Sequence, residues 1–362
     1  MDRIAEIWDR VQRCLLYVEE CLPAVTEQHQ RLISVLEVVR IEKHVRPGHW
    51  QWLGRRREDR KALARAFVAK ACYNLPTTKA LVERLRADKT LRQICGWELV
   101  RDVPSESTFC RAFGEFASTG LGDAVHEALV REYLGDRIVG HVCRDSTEAD
   151  AREKPIVKEA KEKGPKFRRG RPKRGEARPA KEPTRMERQY TQTSAEAIAE
   201  LPAYCDVGTK IDSKGNRRYW VGYKFHVDVA DGGIPISALT TSASLHDSQA
   251  AIPLARMSAK RVTSLYDLMD SAYDADLIRK VSVELGHVPI IETNTRGHKG
   301  VPMEPDRARR YDIRATVERF YSRLKEDCGG RMVRVRGHKK VHAHLMFGLL
   351  VIFAEALLGF VT

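Results

Sequence analysis

The sequence predicts an α/β protein: a mixed β-sheet flanked by helices, preceded by an all-α N-terminal region. Three observations carry this. In RYWVGYKFHVDVA, residues 218–230, Tyr219, Val221, Tyr223, Phe225, Val227 and Val229 alternate with Trp220, Gly222, Lys224, His226 and Asp228. That is the period-two pattern of a long strand. Beyond it, short apolar runs alternate with helical patterns, as in a sheet whose later strands are connected through helices. Ahead of it, Ile4, Ile7, Val11, Leu15 and Val18, then Leu32, Val35, Leu36 and Val39, recur at threes and fours. That is helical spacing.

Taken in order, Pro23 divides the two N-terminal helical runs of residues 1–45. They read either as a dimerisation or DNA-end-binding arm or as a helical subdomain packed on its neighbour. Residues 46–60 are a basic, turn-rich connector. Helices follow at 59–74 and 77–95, the second ended by Gly96. Another begins at 105–118 with a Ser or Glu cap. The helices at 77–118 suit a helix-turn-helix that enters a DNA groove, or plain helical packing. IVGHVC, 138–143, is a buried strand that places Asp145 at its C-terminal end.

Residues 151–190 carry 15 Lys/Arg against 6 Asp/Glu, so +9 of the chain's net +14 lies there. With so few large apolar residues, this stretch cannot build a core. Ordered structure is expected to return at 217. Asp231-Gly232-Gly233 turns the chain into the return strand IPISALTT. A helix at 246–259, a strand at 262–270 ending on Asp270, a helix capped by Asp274 and a strand at 287–292 come next. A basic loop, 293–310, leads to a helix at 310–330. The apolar run 345–361 contains Glu355, and it reads as a buried helix and not a membrane span.

The order of strands and helices is that of a ribonuclease-H-like fold. Asp145 then ends the first strand, Asp270 the fourth, and Glu318 sits on the helix after the fifth. These positions converge on one edge of such a sheet.

The basic balance, 63 Lys/Arg against 49 Asp/Glu, points to a polyanionic partner, nucleic acid first. Eight Cys without a C-x-x-C pair or finger spacing disfavour structural zinc and fit free thiols in a reducing cytosol. The N-terminus has acids and no hydrophobic signal core.

Read as one helix, 310–330 brings Tyr311, Arg314, Glu318 and Lys325 within roughly 60° of one another. This row borders the apolar stripe Val317, Phe320, Tyr321 and Leu324, where a cleft would open beside the core. The spacing Tyr-x2-Arg-x3-Glu-x6-Lys resembles the third catalytic motif of the Asp-Asp-Glu (DDE) transposases of insertion sequences. Asp145-Ser146-Thr147 with Arg152-Glu153-Lys154-Pro155 is similar to the first motif, and Asp270-Ser271-Ala272-Tyr273-Asp274 to the second. LRQICGWELVRDVPSESTFCRAF, 91–113, resembles the N-terminal domain of many such enzymes.

The resemblance implies a transposase that binds the ends of its element and carries out metal-dependent strand cleavage and strand transfer of the cut-and-paste type. It implies Asp145, Asp270 and Glu318 as catalytic metal ligands, and Tyr311, Arg314 and Lys325 as contacts to element-end DNA. The chemistry agrees: in-line phosphodiester cleavage suits two Mg²⁺ ions held by carboxylates, with Mn²⁺ able to substitute. The expected partners are double-stranded DNA, both terminal inverted repeats and target, and a second copy in a homodimer assembled on DNA, with no membrane. The expected location is the cytoplasm of a prokaryote, at the nucleoid. The expected domains are a helical region at 1–135 and a catalytic domain at 136–362, with a flexible basic insertion at about 151–205.

Within that insertion, Arg169-Gly170-Arg171-Pro172, flanked by Arg168 and Lys173, resembles an AT-hook that lies in an A·T-rich minor groove. The other reading is a solvated linker that touches phosphates without preference. Some enzymes of the family this chain resembles carry a β-rich block with a base-stacking Trp between the second Asp and the Glu. Here only 47 residues separate Asp270 from Glu318 and none is Trp, which leaves a hairpin and other cleavage intermediates both open. A structure-selective nuclease of the same fold and a non-catalytic DNA-binding regulator are the alternative functions.

Overall fold

The computed structural model describes residues 25–46, 58–157, 182–211, 215–294 and 302–359. The first expected helical run and the AT-hook-like residues Arg168, Arg169, Arg171 and Lys173 lie outside them.

The N-terminal helices are α1 (Glu27–Val39), α2 (Arg60–Cys72), α3 (Thr78–Ala87), α4 (Lys89–Cys95), α5 (Glu106–Thr119) and α6 (Leu121–Leu134). The helix expected over 77–95 is two. Asp88 is extended (φ −97°, ψ 107°), so it ends α3, and its carboxylate accepts the Leu91 N–H at 2.9 Å to start α4. Phe67 of α2 packs its ring on Phe109, Phe113 and Phe116 of α5.

The sheet contains β1 (Ile138–Asp150), β2 (Asp206–Ile211), β3 (Arg217–Ala230), β4 (Ile234–Ser242), β5 (Thr263–Met269) and β6 (Val288–Ile291). Its order is β2-β3-β1-β5-β6, with β4 paired to the rest of β3's outer edge. β1 pairs antiparallel with β3 and parallel with β5, and β5 pairs parallel with β6. The turn from β3 to β4 uses Gly232 and Gly233 at φ 75° and 78°, which glycine adopts without strain.

Three expectations need correction here. β1 does not stop at 143; it continues to Asp150 because β3 offers it a partner as far as Gly222. Structure does not first return at 217. Helices α7 (Arg185–Thr191) and α8 (Ser194–Ala199), together with β2, precede it. They are short and polar outside, held by caps at Thr184 and Thr193, so no periodicity announces them.

Finally, 310–330 is not one helix. It is preceded by α11 (Pro305–Tyr311), where a loop was expected, and a 3-10 turn at Asp312–Arg314 leads into α12 (Ala315–Glu326). The turn is tighter than an α-helical one, yet Arg314 still reaches Glu318 four residues on, with Nη1 2.9 Å from Oε1.

Helix α9 (Ser248–Ala259) and α10 (Asp276–Glu284) connect the later strands. The closing helix α13 (His338–Leu357) is buried without a break from Ala343 to Glu355. It packs on β4 and on α1, α2, α5 and α6, which accounts for its apolar surface inside a folded protein. Its buried Glu355 accepts from Arg31 of α1 and Arg323 of α12, tying the N-terminal helices to the helix of Glu318.

Candidate active site

The site forms where two strands part. β1 and β5 stay paired up to Arg144 and Met269. The next residue on each chain is an aspartate, Asp145 and Asp270. Asp145 is therefore not at the end of its strand, as expected, but at the point where β1 loses its β5 neighbour. Asp270 is the first residue past β5, and its Oδ1 accepts the Ala272 N–H at 3.0 Å.

The guanidinium of Arg314 lies across the gap. Its Nη2 is 3.0 Å from Asp145 Oδ2 and 3.7 Å from Asp270 Oδ2, and its Nη1 is 2.9 Å from Glu318 Oε1. The three expected carboxylates thus surround one cationic group. Asp145 and Asp270 are mostly enclosed, whereas the Glu318 side chain, held by Arg314, is 63% exposed at the rim. Burial, added to by Asp270 and countered by Arg314, pushes the Asp145 carboxyl up to about 7. Burial raises Asp270 as well, again against the pull of Arg314. Two such acids side by side want a cation.

Backbone and neighbours hold Asp145 in place. Its Oδ1 accepts the Ser146 N–H at 2.7 Å. The Tyr321 hydroxyl stands 2.6 Å from the Asp145 carbonyl oxygen and 3.2 Å from that of Phe225. Tyr321 read from sequence as part of an apolar stripe, and nothing local distinguished its hydroxyl as a brace for β1.

The other predicted residues are placed differently. The Tyr311 hydroxyl donates to Glu292 at 3.2 Å, close enough to the site to feel Asp270. Lys325 lies about two turns beyond Glu318 on α12. Its Nζ lies 3.8 Å from Glu148 Oε1, which Arg218 also approaches at 3.3 Å. Asp267 faces away: it accepts from Ser282 at 2.7 Å and lies 3.1 Å from His287. Asp274 was expected to cap α10, but Ala275 holds that position. Asp274 instead accepts from Arg279 at 2.7 Å and from the Asn294 N–H at 2.9 Å.

Among the described residues, no three His, Cys, Asp or Glu side chains are gathered closely enough to hold a metal ion as they stand. Asp145, Asp270 and Glu318 are spread around the Arg314 guanidinium, which stands in for the cation this acidic cluster requires. The donors are all carboxylate oxygens, the set that suits a hard divalent ion.

Two family models match the chain: the transposase DDE domain over residues 141–354 and a transposase domain, DUF772, over residues 19–115. No curated protein and no solved structure matches it. The first model spans more than half of the chain, across the whole sheet from β1 to α13, and the protein belongs to the DDE transposases of insertion sequences, enzymes that cut and join DNA with divalent metal ions.

Proposed function

We propose that Asp145, Asp270 and Glu318 are the catalytic carboxylates of this transposase, and that together they hold two Mg²⁺ ions, replaceable by Mn²⁺. The observation that carries this reading is the meeting of all three carboxylates on Arg314 at the parting of β1 and β5. When bound there, the ions would supply an activated water or 3′-hydroxyl and a stabilised leaving oxygen.

The protein's own groups do the rest. Arg314, displaced from the carboxylates, presents its planar guanidinium to the scissile phosphate. Tyr311 and Lys325 contact the DNA backbone on either side of it. Residues 1–135 bind the terminal inverted repeats and 136–362 carry the chemistry, with 151–205 as an insertion in the latter. The enzyme acts by cut and paste, as a homodimer assembled on element ends and target DNA, in a prokaryotic cytoplasm at the nucleoid. The test is cleavage of DNA bearing the element's ends by purified full-length protein. Nicking is expected with Mg²⁺ or Mn²⁺ and not with Ca²⁺ or EDTA. Cleavage that persists in EDTA would overturn the reading.

DNA contacts are tested by binding to A·T-rich and G·C-rich duplexes at several salt concentrations. Lys325→Ala should weaken both alike and lower the salt dependence by about one phosphate contact. Replacing Arg169 and Arg171 by Ala, with Arg168 and Lys173 kept as phosphate contacts, should weaken the A·T-rich duplex more. Equal losses on both duplexes would reduce the hook to simple phosphate attraction.

A further inference from the structure

Past Arg144 and Met269, β1 keeps a sheet partner only on its β3 edge. The β1 backbone there is held by β3 and Tyr321, but a residue that positions reacting groups must also have its side chain held to within about 0.5 Å. Asp145 stands on this half-paired stretch.

Asp247 supplies a side-chain restraint through Ser146. It directly precedes α9, where aspartate ordinarily caps a helix. Here it makes no cap bond. Its Oδ1 instead accepts from Lys224 Nζ at 2.9 Å and from Ser146 Oγ at 2.8 Å. Lys224, on β3, also donates to the Leu245 carbonyl at 2.8 Å, so the ammonium is fixed from two sides. Ser146 in turn gives its backbone N–H to Asp145. A continuous chain of bonds therefore runs from β3 and the start of α9 to the carboxylate of Asp145. The charge of Asp247 also lies near enough to Asp145 and Asp270 to be felt by both.

We propose that Asp247 is a positioning residue for Asp145: with Lys224 it anchors the Ser146 hydroxyl, and through Ser146 it fixes the direction of the Asp145 carboxylate. The proposal rests on reading Asp145, Asp270 and Glu318 as the metal-binding site. The side chain of Asp247 itself takes no part in binding the ion.

The readout is Mn²⁺ affinity of the full-length protein without DNA, by titration calorimetry, with circular dichroism as the check on folding. Asp247→Ala should weaken Mn²⁺ binding by about 10- to 100-fold, the usual effect of removing a group that orients a ligand. Ser146→Ala removes only the hydroxyl and should weaken it in the same direction. The double variant should be no worse than Asp247→Ala alone, because both act along one chain. Asp247→Asn still accepts from Ser146 and should bind Mn²⁺ more tightly than Asp247→Ala.

A folded Asp247→Ala protein with wild-type Mn²⁺ affinity overturns the proposal. If Asp247→Ala does not fold, wild-type affinity in Ser146→Ala overturns it. Asp145→Asn is the control. If it loses Mn²⁺ while Asp247→Ala does not, the proposal alone fails. If Asp145→Asn keeps Mn²⁺, the reading of the site fails with it.

Discussion

Asp270→Asn should leave a folded protein that no longer cuts DNA. The carboxylate sits in the first position past β5, 3.7 Å from Arg314 Nη2, with small Ser271 and Ala272 behind it. Asn preserves size and can still accept the Ala272 N–H, so the local turn survives. What disappears is a negative charge and one hard oxygen ligand. An ångström of misplacement in a site of this kind costs ~100-fold in rate, and loss of a ligand should exceed that in single-turnover cleavage of end DNA. Glu318→Gln should behave alike, keeping DNA binding and losing cleavage, because its exposed side chain has no part in the core. Asp267→Asn is the contrast. That carboxylate is buried, and its Oδ2 is engaged by Ser282 and His287, away from Arg314. Its loss should lower stability and leave the folded fraction active. A folded Asp270→Asn protein that cuts at the wild-type rate removes Asp270 from the site.

The second large effect is on stability. Arg144 and Asp228 face each other across β1 and β3, and both are buried, at 1% and 0% exposure. Arg144 Nε donates to Asp228 Oδ1 at 2.8 Å and Nη2 to Oδ2 at 2.7 Å. Ser258 Oγ adds a third bond to the same carboxylate at 2.6 Å. Arg144→Met would leave Asp228 in the core without its counter-charge, at a cost of about 3–5 kcal/mol. Most of that cost is an uncompensated carboxylate and not the intrinsic worth of the pair. The double variant Arg144→Met, Asp228→Leu should therefore recover much of it. Urea unfolding of the three proteins measures this. A double variant as unstable as Arg144→Met would mean that the pair itself, and not the orphaned charge, supplies the stability.

The site was legible where its signal was local. Asp270 follows a β-branched and apolar run, and Glu318 lies in a spacing of four residue types, so both could be singled out without knowledge of any contact. Lys325 shows the limit of that method. Helical winding could place it on the Glu318 side of α12, but not foresee that two turns further along it would meet Glu148 of β1. The short helices α7 and α8 and strand β2 were missed because six or seven residues carry too little periodicity to stand out from a basic, polar stretch.

The sequence by itself determined the class of fold, the long β3 strand with its glycine turn, the buried character of α13 and the family, because each rests on patterns within a few residues. Only the tertiary structure decided how far β1 runs, that Arg314 gathers three carboxylates, and that Asp247 serves Ser146 and not its own helix. Arg314 and Asp145 are 169 positions apart, and Ser146 and Asp247 are 101 apart. Such partners are chosen by strand register and by the parting of β1 from β5, and a one-residue slip in either would turn the same side chains to the opposite face.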